Sequence, residues 1–127
     1  MGSDRGERGQ GLVELSLLLP VLLVVALGAV DLGRVYFAYV AVVNAAREGA
    51  FYAALNPDAG AAAVQGVVDA ETAGQLEGGA RVVGLSADRA PGAELTVTVE
   101  HEFRALTAAV VGGRSVPVRA SAAVVVQ

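Results

Sequence analysis

The chain of 127 residues contains no cysteine, no lysine and no tryptophan. Without cysteine there is no disulfide framework, no thiolate metal site and no thiol nucleophile. Without lysine, amine nucleophiles and Schiff-base chemistry are confined to the N-terminus. Three Tyr and three Phe are too few for a base-stacking platform. All nine basic residues are Arg, and thirteen acidic residues bring the net charge to −4, so the basic patch that a nucleic acid requires is missing. The length excludes two folded domains or a large α/β enzyme core.

What the chain has in excess is apolar side chains, at 54%, and they are concentrated. From Leu15 to Val30 the run LSLLLPVLLVVALGAV carries no charge, and with Leu12 and Val13 it reaches the roughly 20 residues that cross a bilayer. Ser16 can return its hydroxyl to the preceding turn, whereas Pro20 removes a helix hydrogen bond and should bend the helix locally. A secretory signal peptide is the competing reading, with Arg5 and Arg8 as its basic region and cleavage among the small residues Ala26 to Ala29. The apolar run is long for that role. Glu14 at its front also speaks against it, because a charge at the bilayer centre costs about 2.5–3.5 kcal/mol and a disposable signal gains nothing from it. Arg5 and Arg8 before the run are balanced by Arg34 and Arg47 after it, so charge alone leaves the topology open.

Beyond Asp31 the helical period continues, with Leu32, Val35, Tyr36, Tyr39, Val43, Ala46 and Ala50 recurring at three- and four-residue steps. Asp31, Arg34, Asn44, Arg47 and Glu48 lie mostly off that stripe, and Asp31 and Arg34 are spaced to pair at i, i+3. From Leu12 to Leu55 this makes a rod of about 65 Å at 1.5 Å per residue. Asn56-Pro57-Asp58 ends it, and Val64, Val67 and Val68 in the Ala-rich stretch 59–74 predict a short second helix. The period then changes to two. Residues 81–86 form a first strand, and in 94–103 Leu95, Val97, Val99, His101 and Phe103 share one face against Glu94, Thr96, Thr98, Glu100 and Glu102. Ala90-Pro91-Gly92 links these two strands. A third runs from Val116 to Val126, and 104–111 is a short helix or loop closed by Gly112-Gly113. The fold class is α+β: a long N-terminal helix, a short second helix and an antiparallel sheet of about three strands whose apolar face the helices cover.

His101 between Glu100 and Glu102 has the composition of a metal or acid–base site, yet alternation sends the imidazole and the two carboxylates to opposite faces. No metal and no cofactor are expected. Gly112-Gly113-Arg114-Ser115 lacks the lysine and the spaced glycine of a phosphate loop and reads as a turn. Asp31, Arg34, Asn44, Arg47 and Glu48 are the candidates for intersubunit polar contacts, and for Asn44, Arg47 and Glu48 on their Ala-rich helix an exposed face with weak pairs fits equally.

The string RGQGLVELSLLLP places Gly9 before Gln10, with Glu14 as the fifth residue after Gly9 and a hydrophobic run behind it. This resembles a prepilin processing site, where a membrane peptidase cuts after the glycine. The wider segment is similar to the N-terminal region of the TadE-like family, pilin-like components of tight-adherence pilus systems. The likeness rests on Arg8-Gly9, Val13-Glu14-Leu15, Pro20, Asp31-Leu32-Gly33-Arg34 and Asn44 to Gly49 in that order. LTVTVEHEFRAL and SVPVRASAAVVVQ resemble the family's paired strands around Phe103-Arg104, with His101-Glu102 where the family often has an aromatic followed by proline.

The resemblance implies a leader at 1–9 cut between Gly9 and Gln10, a transmembrane helix at 10–31, a helical extension at 32–55 and a pilin-like extracytoplasmic head at 56–127. It implies a single-pass protein of the cytoplasmic membrane, with a prepilin peptidase and like subunits or other pilin-like proteins as partners, and neither nucleic acid nor a small-molecule substrate. Glu14 would set helix register by accepting a neighbour's amine in a low dielectric. Its charge would equally suit a helix N-terminus at the headgroup boundary. The alternative at the level of function is a permanently membrane-tethered binding module that never polymerises. An enzyme would need a convergent nucleophile, base and oxyanion donor that the sequence does not offer.

Overall fold

The computed structural model describes residues 4–127, with side chains from Gly9 onward. The first three residues of the expected leader fall outside the described residues, as do the side chains of Arg5 and Arg8. The first helix, α1, runs from Asp4 to Leu55, 52 residues with Pro20 inside it, or about 78 Å. It extends past Leu12 toward the N-terminus at least to Asp4, because glycine taxes a helix by only about 1 kcal/mol and no proline interrupts the segment. The Ser16 hydroxyl donates to the Leu12 carbonyl at 2.7 Å. At the far end the backbone and side-chain N–H groups of Asn56 both donate to the Tyr52 carbonyl, at 3.0 and 2.9 Å, and Pro57 cannot extend the ladder.

Helix α2 (Ala61–Thr72), strands β1 (Arg81–Leu85) and β2 (Glu94–Phe103), the one-turn helix α3 (Thr107–Val111) and strand β3 (Val116–Val125) follow. The sheet is antiparallel in the order β1-β2-β3. Along β2 and β3 the register pairs Leu95 with Val124, Val97 with Ala122, Val99 with Ala120, His101 with Val118 and Phe103 with Val116, so the two alternating apolar sets fall on one face. Ala90-Pro91-Gly92-Ala93 closes as a turn with Ala93 N–H on the Ala90 carbonyl at 2.9 Å. Gly92 takes φ +88° there, a backbone conformation that glycine supplies without steric cost.

Helices α1 and α2 cover the apolar face of the sheet, and the core collects Ala38, Val42, Ala45, Ala46, Ala50 and Ala53 of α1 against Val64 and Val68 of α2 and Leu95, Val97 and Val99 of β2. The buried stripe of α1 differs from the one its large residues outline. Ala46 and Ala50 are inside, but Leu32, Tyr36 and Tyr39 are exposed, and the inward face is made mostly of alanines with Val42 and Gly49. The reason is distance. An ideal Cβ on Gly49 would stand 3.3 Å from Val64 and 3.5 Å from Val97, so α1, α2 and β2 meet where only a minimal side chain fits. Gln65 ties α2 to the sheet edge, donating to the Ala80 carbonyl at 2.8 Å and accepting from Val82 N–H at 2.7 Å. The Arg89 guanidinium pins the α1–α2 connection through the Pro57 and Ala59 carbonyls.

Candidate functional site

The residues singled out in the sequence occupy three stations along α1. Gly9, Gln10 and Glu14 lie on the half that carries no head, and all three are exposed. Gln10 Nε2 reaches Glu14 Oε1 only at 3.4 Å, so the carboxylate stays open to a stronger partner. From Leu12 to Val25 every residue of this half is exposed.

The second station is a polar latch. Asp31 is buried, and its carboxylate accepts from Leu106 N–H, Thr107 N–H and the Thr107 hydroxyl, each at 2.8 Å, and from Arg34 Nη1 at 3.1 Å. The Thr107 and Leu106 amides belong to the start of α3, so Asp31 caps that turn from a different helix. Arg34 also donates to the Arg104 carbonyl at 3.3 Å and lies 5.3 Å from the centre of the Phe103 ring, a cation–π distance. The sequence paired Asp31 with Arg34 correctly by spacing. The intersubunit contact expected of Asp31 is corrected: the carboxylate is buried and spent on its own head, 75 and 76 residues away along the chain, which also engages Arg34.

The third station, Asn44, Arg47 and Glu48, lies on the outward face and is exposed. Among the described residues none of the three side chains makes a hydrogen bond or an ion pair.

On the sheet, His101 is buried and its Nδ1 sits 2.7 Å from the Gly79 carbonyl, so that nitrogen carries the proton and donates. Glu100 turns to the opposite face, between Arg119 at its Nε (2.9 Å) and Arg81 (3.7 Å) on the flanking strands. The imidazole and the Glu100 carboxylate therefore answer to separate partners, and the outer face is laced across strands, with Thr98 Oγ1 and Ser121 Oγ at 2.8 Å as a further rung. An open groove of about 570 Å³ runs beside Arg34, Phe37, Leu76, His101, Phe103 and Arg104.

These features define a class: one helix long and apolar enough to cross a membrane, its second half serving as the spine of a small α+β head. Residues 9–50, about a third of the chain, match the model of the family described as TadE-like protein, the family that the motifs of this segment resemble. The match begins at Gly9 and ends just past Gly49, taking in all three stations. No curated protein and no solved structure matches the chain.

Proposed function

We propose that the chain is a pilin-like membrane protein, anchored through residues 10–31 with its head outside the cytoplasmic membrane, and a subunit or assembly component of a tight-adherence pilus. In this reading a prepilin peptidase removes residues 1–9 between Gly9 and Gln10. The matured helix then leaves the bilayer sideways to join like helices, with Glu14 fixing their register. The observation that carries the reading is the outward face of α1 above the membrane segment. Leu32, Tyr36, Phe37, Tyr39, Phe51 and Leu55 are all at least half exposed although the same helix buries its alanines. Exposed apolar groups at 32–39 and 51–55, on either side of the polar Asn44, Arg47 and Glu48, favour a surface that another body covers, and neighbouring α1 helices are bodies of the right length and polarity.

Intact mass and N-terminal sequence of the protein from its native membrane and from sheared surface material test it. A chain starting at Gln10 in the sheared fraction is the expected result. A chain in the membrane alone, still carrying residues 1–9, would replace this reading by a permanent tether.

A further inference from the structure

The reading of α1 as a membrane anchor fixes the height of every element that touches it. Leu12 to Val30 spans about 28 Å at 1.5 Å per residue, close to the roughly 30 Å of a bilayer's hydrocarbon core. Asp31 is the next residue, and its carboxylate holds the start of α3 at that level. The path of the chain places α3 at the end of the head nearest the apolar run, beside Glu77 of the α2–β1 loop, which shares a groove with Val30 and Arg34. β2 leaves the sheet at Phe103, beside Arg34, and Leu106 and Thr107 then descend to Asp31, one helical turn nearer the apolar run. The chain returns through Gly112 and Gly113 to Val116, which pairs with Phe103 again. The loop between two paired strand ends thus projects toward the membrane.

Its chemistry matches that position. Val110 and Val111 are 62% and 66% exposed, Leu106 and Val116 are exposed beside them, and α3 has no buried residue. Arg104 and Arg114, both exposed, bracket the segment. Apolar tips flanked by guanidiniums are what a headgroup layer accommodates, the valines reaching the acyl boundary and the arginines the phosphates. The buried, fully bonded Asp31 carboxylate can lie at this depth because its hydrogen bonds replace those of water.

We infer that the α3 loop, residues 104–116, is a second membrane contact: Leu106, Val110 and Val111 enter the outer leaflet while Arg104 and Arg114 bind phospholipid phosphates, setting the head upright against the bilayer. The inference rests on α1 spanning the membrane.

The absence of tryptophan gives a clean probe. Three single-tryptophan variants of the full chain, Val110→Trp, Val125→Trp and Leu22→Trp, are placed in phosphatidylcholine–phosphatidylglycerol vesicles, plain or brominated near the glycerol end of the acyl chains. Val125 pairs with Glu94, at the other end of β2 from Phe103 and about 30 Å away at 3.3 Å per residue. The expected result is blue-shifted, bromine-quenched emission from Val110→Trp and red, unquenched emission from Val125→Trp. Adding Arg104→Gln and Arg114→Gln to Val110→Trp should reduce the quenching most in vesicles rich in the anionic lipid. Leu22→Trp checks the anchor itself, since its failure to sense the bilayer interior would overturn the spanning reading and the inference with it. If Leu22→Trp is buried in lipid and Val110→Trp resembles Val125→Trp, the anchor stands and the α3 contact is wrong. Blue-shifted emission from Val110→Trp that bromine leaves untouched would assign the loop to a second copy of the chain and equally overturn the lipid contact.

Discussion

Glu14 is the one charge between Gln10 and Val30, and among the described residues its only hydrogen bond is a long one from a glutamine one turn back. A carboxylate so weakly held burdens insertion and returns nothing to the single chain. Glu14→Ala should therefore leave membrane insertion intact or improved while lowering the yield of sheared filaments; an unchanged yield would remove the registration role. Asp31 is the opposite case, because its four hydrogen bonds all end inside the chain. Asp31→Ala strands two backbone donors at the start of α3 and frees Arg34 from its partner. The Leu106 and Thr107 amides should then exchange with solvent roughly tenfold faster or more, with the exchange of Val97 and Val99 unchanged. Equal protection at Leu106 in variant and parent would show that the latch holds nothing.

Elements differ in how openly the sequence announces them. β2 was legible to its end residues, because a half-buried strand writes its two faces as an alternation and nothing in 94–103 breaks it. α1 was legible as a helix but its inward face was not. Both faces are apolar, so periodicity alone could not say whether the alanines or the aromatics pack on the sheet, and the decision lies in how closely the backbones approach. The Asp31 latch was hidden for a different reason: no local pattern links residue 31 to residue 107. Among the residues of the motif 44–49, Gly49 is where close approach can be tested. Gly49→Val puts methyl groups beyond a Cβ that already meets Val64 at 3.3 Å and Val68 at 3.4 Å. It should cost about 1–3 kcal/mol of head stability by overpacking, read as a lower denaturant midpoint with unchanged slope. A midpoint equal to that of the parent would mean that α1 and α2 have slack at their crossing.

At the scale of the whole molecule, the two faces of α1 do different jobs. The inward face, built mainly from alanine with Val42 and Gly49, lets the head sit close and is buried within one chain. The outward face keeps Tyr36 70% and Phe51 54% exposed, with Asn44, Arg47 and Glu48 between them, and is the face that a neighbouring copy would cover in the proposed assembly. Stability and assembly should therefore separate under mutation. The double variant Tyr36→Glu with Phe51→Glu touches no residue of the buried core, so the stability of the head should stay within about 0.5 kcal/mol of the parent. Yet it places two like charges on every copy along the face through which helices would pack, where each would be desolvated or opposed by its equivalent. Filament yield should collapse while membrane insertion, processing after Gly9 and folding of the head persist. Normal filaments from that variant would show that copies meet through some other surface, and the aromatic face would then need a different occupant, such as a permanent partner on a tethered head. A variant that instead unfolds the head would show that Tyr36 and Phe51 support the core despite their exposure, which would withdraw the division of α1 into a folding face and an assembly face.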